Sequence, residues 1–293
     1  MNPIPASELI LTDSGAIYHL GVRPDQLAPT VITVGDPGRV AEVSKYFDRI
    51  EHRVAHREFV THTGYLGEQR FSVVSSGIGP DNMDIVMNEL DALVNIDFGT
   101  RQVREQKTSL QIIRLGTTGS LQADIPVDAP VASDFGLGLD NVLHFYSHHP
   151  SPTEHFLLQA FEQHSGLAAT AIRPYIAEGS IRLRALIAGK MAHGITLTCP
   201  GFFGPQGRIL RAPLAIPGLN DRFTSFQSAD LRITNYEMET SVLYALGRLL
   251  GHQCLSVCTV VANRVSQTFS SNPGRAVDAT IRMTLELLSG SGL

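Results

Sequence analysis

Arginine appears three times in this sequence beside residues that could help it hold an anion. Gly35-Asp36-Pro37-Gly38-Arg39 follows the β-branched run Val31 to Val34 and opens a segment of helical spacing. At such a strand-to-helix turn the backbone N–H groups and the helix dipole favour negative charge; Gly35 permits close approach and Arg39 adds a charged fork. The same residues also suit a purely local role, with Asp36 capping the helix and Pro37 in its first position. Arg114 interrupts the apolar run Ile112, Ile113, Leu115 and is followed by Gly116-Thr117-Thr118-Gly119. A buried guanidinium needs a partner. That partner is either a structural carboxylate or a bound phosphate, shared with the Thr117 hydroxyl and N–H. His56-Arg57-Glu58 supplies a third arginine at a strand end, which taken alone reads as a solvated surface charge.

A pair of carboxylates forms the second constellation. Asn235-Tyr236-Glu237-Met238-Glu239 leads directly into the amphipathic stretch Thr240 to Leu250, so both acids lie at or beside a helix N-terminus. Their charge is favourable there for structural reasons alone. A carboxylate in this place can also accept from two neighbouring sugar hydroxyls, with Met238 packing on the sugar face.

Placing these residues takes an alternation of strands and helices. Val31 to Val34 reads as a strand and Arg39 to Phe47 as a helix; Phe59 to Leu66 and Phe71 to Ser75 read as a hairpin or meander. Asp81 to Val94 has helical period, and Gln111 to Leu115 is an apolar strand ending at Gly116. In the less regular middle, Ala132 to His149 mixes glycine and histidine, Thr153 to His164 reads as helix, and Ile181 to Ala192 as a further helix. Thr240 to Leu250 is a helix, Ser256 to Ala262 a buried strand, and Arg275 to Leu288 a terminal helix. Unbroken apolar strands alternating with helices predict one α/β domain over residues 1–293, three layers deep, with a central mixed β-sheet flanked by helices.

Composition narrows the function classes. With 293 residues, 43% apolar and 17% charged, the chain can bury a sizeable core and has no disordered signature. A net charge of −5 provides no general basic field, so no nucleic acid is expected as partner. Cys199, Cys254 and Cys258 are odd in number and lack a C-x-x-C pair, which predicts buried thiols, no disulfide framework and no metal. With no long apolar run and no basic leader before one, no membrane is expected as partner and a cytoplasmic location is.

Five segments, V-G-D-P-G-R from Val34, A-H-R-E-F from Ala55, S-S-G-I-G from Ser75, R-L-G-T-T-G from Arg114 and N-Y-E-M-E-T from Asn235, occur in that order over most of the chain. Together they resemble the nucleoside phosphorylase family, which includes uridine phosphorylases and hexameric purine nucleoside phosphorylases. The resemblance implies phosphate binding by Gly35, Arg39, Arg114 and Thr117, with Arg57 reaching in from a neighbouring subunit. It implies ribose binding by Glu237, Met238 and Glu239. His19, in Tyr18-His19-Leu20-Gly21, matches the residue that contacts the ribose 5′-hydroxyl across the interface, so residues 1–20 would form an arm to a neighbour. The family implies a homo-oligomer, a hexamer built from dimers.

Base choice rests on two places. Phe202-Phe203-Gly204-Pro205-Gln206-Gly207-Arg208 is similar to the pyrimidine-binding segment of uridine phosphorylases, although its Pro-Gly order is reversed and Gly207 replaces a commonly acidic residue. Gln206 can donate and accept, which suits a uracil edge; Arg208 only donates, which favours a carbonyl over an amino group, and Phe202 offers a stacking face. Asn263 stands where purine-specific relatives carry an aspartate, and an amide cannot act as general acid. The expectation is phosphorolysis of uridine to uracil and α-ribose 1-phosphate, with nucleoside and phosphate as small-molecule partners and no cofactor, inorganic phosphate being a co-substrate. The rivals are a purine nucleoside phosphorylase, a nucleosidase and a nucleoside-binding regulatory protein. Ser76-Gly77-Ile78-Gly79 resembles a dinucleotide-binding turn but lacks its third glycine. His144, His148, His149 and His155 read as a surface cluster.

Overall fold

The computed structural model describes residues 2–290; Met1 and residues 291–293 of the expected single domain lie outside the described residues. In chain order the elements are β1 (Thr30–Val34), α1 (Pro37–Ser44), β2 (Arg49–His56), β3 (Phe59–Leu66), β4 (Gln69–Ser75), α2 (Pro80–Asn95), β5 (Ile96–Asp97) and β6 (Gln102–Val103). They continue with β7 (Gln111–Ser120), β8 (Pro130–Gly138), α3 (Pro152–Ser165), β9 (Tyr175–Glu178), α4 (Ile181–Ile187) and β10 (Ala192–Thr198). The last third holds α5 (Leu219–Ser225), β11 (Gln227–Ser228), β12 (Leu231–Glu237), α6 (Thr240–Leu250), β13 (Gln253–Asn263), β14 (Thr268–Phe269) and α7 (Pro273–Ser289).

The main path of the large sheet runs β11-β12-β10-β8-β13-β7-β1-β4-β3-β2, with parallel and antiparallel pairs. Neighbouring residues on one strand alternate between its faces. Val31, Ile112 and Cys254 therefore pack with α2 and α6, while Ile32, Ile113 and Leu255 pack with α1, α4 and α7. The chain is thus an α/β fold with a mixed sheet between helical layers. A third core joins α3 and α5 to β8, β10 and β12 through Phe135, Phe161, Leu197, Phe223 and Ile233. One feature goes beyond the expected mixed sheet: β12 also pairs antiparallel with β7, at Asn235 with Ser120 and Tyr236 with Gly119. This closes β7, β13, β8, β10 and β12 into a ring and carries the Asn235 segment onto the end of β7.

Several boundaries differ from the sequence expectations, among them the end of α1, which stops at Ser44 rather than Phe47. β7 does not stop at Gly116 but continues through Gly-Thr-Thr-Gly to Ser120, because β13 pairs with it as far as Asn263 and β12 completes the ladder. The glycine-bearing stretch that starts at Ala132 holds most of β8, which begins at Pro130; Gly136 is needed there, since a Cβ would lie 2.8 Å from the Ser241 backbone of α6. The helix expected over Ile181 to Ala192 ends at Ile187, two residues before Gly189 at φ +72°, and Ala192 already begins β10. At α1 the capping reading holds: Gly38 N–H donates to Asp36 Oδ1 at 2.8 Å, and the helix starts at Pro37.

Candidate active site

A cavity of about 530 Å³ opens where β1, β4, β7, β12 and β13 end and where α1, α2 and α6 begin. Crevices at the carboxyl ends of strands are the usual ligand sites of α/β sheets. Its lining includes Gly35 and Arg39 from the β1–α1 turn, Arg114 and Thr117 from β7, and Glu237, Met238 and Glu239 from the β12–α6 junction. Phe202, Gln206 and Arg208 line it from the segment after β10. Ten of the twelve residues expected to bind ligand therefore share one cavity.

Arg114 is buried and folded over Gly116, where a Cβ would lie 1.9 Å from its Nη1. Its Nη2 donates to Glu239 Oε2 and lies 3.2 Å from Glu237 Oε2; Nη1 donates to Cys258 Sγ at 3.0 Å. Burial alone would lower the pKa of this guanidinium, but the charges of Glu237 and Glu239 outweigh it and raise the pKa, so Arg114 is held as a cation. Arg39 is half-buried and its pKa is lowered, first by desolvation and then by the charge of Arg114. Two cations that burden one another on a cavity wall favour an anion between them.

The two carboxylates have separate duties. Glu237 Oε1 accepts from Thr198 Oγ1 at 2.8 Å, and Oε2 accepts from Glu239 N–H at 2.9 Å and Thr240 N–H at 3.0 Å. It caps α6 from below. Glu239 accepts from Arg114 and from Gly79 N–H at 2.7 Å, and burial pushes its carboxyl above the ordinary range against the pull of Arg114. Of the pair, Glu239 is the one with acceptor capacity to offer a sugar. The turn that resembled a dinucleotide motif is thus built into this cavity: Gly77 and Ile78 line it, and Gly79 serves Glu239.

In the segment after β10, Arg208 lies 3.8 Å over the Phe202 ring and donates to the Phe202 carbonyl at 2.7 Å and to Gln206 Oε1. Gly207, at φ +66°, takes the left-handed conformation that a short turn between them requires, and a Cβ there would lie 2.4 Å from Asn220 Nδ2. Asn263 does not line the cavity. Its Nδ2 donates to the Gln122 and Ile125 carbonyls and its Oδ1 accepts from Val265 and Ser266 N–H, so the amide caps the end of β13.

His19 and Arg57 are the two expected residues outside the cavity. Both belong to one surface region: Arg57 Nη2 donates to Tyr18 Oη at 2.9 Å, and His56 Nδ1 donates to the His19 carbonyl at 3.0 Å. His19 Nδ1 meets Glu89 Oε1 at 2.7 Å. Arg57 is exposed and sits at φ +55°, in the turn between β2 and β3. Leu9, Ile17 and Leu20 of the expected arm pack into the core of their own subunit.

Sequence reasoning passed over Tyr236, Val261, Ala262 and Phe269, all of which line the cavity. Tyr236 lay within a quoted motif, but only the close passage of β12 along β7 turns its ring toward Arg208 and Arg264, 5.6 and 5.7 Å away. Phe269 on β14 is 69% exposed and had no apolar pattern to mark it.

The family model described as "Phosphorylase superfamily" matches residues 29–289. The chain is 29% identical to a uridine phosphorylase of Thermococcus kodakarensis over 88% of its own length and 81% of the relative's. It is likewise 29% identical to one of Haemophilus influenzae, over 92% and 93%. Among solved structures, a Trypanosoma brucei nucleoside phosphorylase described as showing uridine phosphorylase activity superposes with a TM-score of 0.89 at 29% identity, covering 97% of this chain and all of that one.

Proposed function

The chain belongs to the phosphorylase superfamily, and on that premise we propose that it cleaves uridine with inorganic phosphate to give uracil and α-ribose 1-phosphate. The observation that carries this reading is the division of one cavity into three chemistries. Arg39, Arg114, Thr117 and the Gly35 turn offer a cationic floor; Glu239 offers sugar hydroxyls an acceptor; Gln206 and Arg208 offer the base a donor–acceptor edge.

In this mechanism phosphate approaches the anomeric carbon from the face opposite the base, and the configuration inverts. No nucleophilic side chain takes part. The arginines orient the dianion and reduce the cost of bringing it to an oxocarbenium-like sugar, and Glu239 with Met238 keeps the ribose in register. Negative charge developing on uracil is met by Arg208, whose pKa is lowered first by burial and further by the charge of Arg264. Asn263 has its amide committed to backbone partners, so it neither protonates a purine nor hinders a pyrimidine.

His19 and Arg57 complete the site from a neighbouring subunit in this proposal, within a homo-oligomer that is a hexamer built from dimers. The support is their shared, pre-ordered surface outside the subunit's own cavity. A cytoplasmic location fits three buried free thiols, and among the described residues no helix is long and apolar enough to cross a membrane.

The test is product analysis after incubation with uridine, thymidine, cytidine, inosine and adenosine, each with and without phosphate. Ribose 1-phosphate from uridine only when phosphate is present is the expected result. Free ribose without phosphate would establish a nucleosidase instead, a preference for inosine would overturn the pyrimidine assignment, and nucleoside binding with no turnover in any mixture would make it a regulatory protein.

A further inference from the structure

Cys258 has no part in the chemistry described so far, yet its sulfur is one of three protein acceptors for Arg114. We propose that Cys258 is a positioning residue for phosphate, its neutral sulfur fixing the plane of the Arg114 guanidinium; the proposal rests on the phosphate reading of that arginine.

The strand register makes the contact. Ser256 of β13 lies opposite Arg114 of β7, and Cys258 lies opposite Gly116. Residues two apart on a strand share a face. Because Gly116 has no side chain, the guanidinium lies flat over it and reaches across to Sγ at 3.0 Å. Beneath, Ser256 Oγ is 3.8 Å from Sγ and accepts from Thr240 Oγ1 at 2.8 Å, which ties the sulfur to the first turn of α6. Cys258 is wholly buried, so the sulfur cannot turn away to solvent.

Glu237 and Glu239 engage only Nη2, which leaves rotation about the Cζ–Nη2 direction unopposed by them. The bond from Nη1 to sulfur removes that freedom, and Arg114 still lines the cavity. Charge explains why a thiol suits this place. A third carboxylate would repel a phosphate dianion, whereas burial raises the Cys258 thiol pKa and keeps it neutral. The sulfur orients Arg114 without cancelling its charge.

The experiment compares wild type with Cys258→Ser, Cys258→Ala and Cys258→Val. Serine keeps an acceptor; alanine and valine remove it, and valine fills more of the space should alanine fold poorly. Steady-state KM values for phosphate and uridine are measured together with the thermal shift produced by inorganic phosphate alone. The expected result is a phosphate KM raised roughly tenfold in the apolar variants, a uridine KM within twofold, a smaller phosphate-induced shift, and near wild-type values for serine. An unchanged phosphate KM in the apolar variants, or an equal loss in serine, overturns the proposal and leaves a packing role. Wild type that forms no ribose 1-phosphate overturns the functional reading instead, and the phosphate-induced shift still tests the cradle.

Discussion

Arg114 and Arg208 carry the same charge into one cavity, but their surroundings differ. Arg114 is buried against two carboxylates and a sulfur. Removing it leaves Glu237 and Glu239 facing each other without a counter-charge, and breaking a buried pair in this way costs about 3–5 kcal/mol. Arg114→Ala is therefore expected to lower both thermal stability and turnover. Arg208 is half-buried on a loop, and its protein acceptors are a carbonyl and an amide rather than a charge. Arg208→Ala is expected to leave the melting temperature nearly unchanged while raising the barrier for uridine cleavage by roughly 2–4 kcal/mol, in line with loss of an oxyanion-type donor. Denaturation and kcat/KM measured on both variants check the contrast. A stable Arg114→Ala protein, or uridine cleavage indifferent to Arg208, contradicts it.

At the scale of elements, the site depends on how closely α6 approaches the sheet. Its N-terminus crosses β8 at Gly136, where the Ser241 backbone leaves no room for a Cβ. The helix begins at Thr240, immediately after Glu239, so any displacement of its first turn moves the carboxylate that bonds Arg114 and Gly79. Gly136→Ala forces backbone rather than a side-chain tip to give way, and overpacking of this kind costs about 1–3 kcal/mol. The expected outcome is a lower denaturation midpoint together with a raised uridine KM. A destabilised variant with unaltered kinetics would show that α6 yields elsewhere along its length.

At the scale of the whole molecule, Arg57 and His19 sit apart from the cavity they are proposed to serve. A subunit changed at Arg114 has a broken cavity but an intact surface to lend; one changed at Arg57 has the reverse. Co-refolded mixtures of Arg114→Ala and Arg57→Ala chains should regain activity that neither has alone, because each mixed pair holds one complete site. If subunits exchange, as tagged chains can verify, and activity still does not return, the shared site is wrong.

The motifs around Gly35, Arg114 and Glu239 were legible in the sequence because their chemistry is local: glycine beside a charge, a charge within an apolar strand, acids before an amphipathic helix. The alternation of apolar runs with helical periods likewise identified the mixed sheet and its covering helices. Which of two open readings applied at Arg114 depended on long-range contacts. Arg114 could have met a carboxylate or an anion; its actual neighbours, Glu237, Glu239 and Cys258, lie more than a hundred residues away in sequence. Sequence order does not reveal that β12 closes onto β7, that Gly116 lies opposite Cys258, or that Glu237 spends its acceptors on a helix start while Glu239 keeps capacity for a ligand. Residue type sets what a group can do, whereas its duty is set by which partners the closed sheet brings within hydrogen-bond reach.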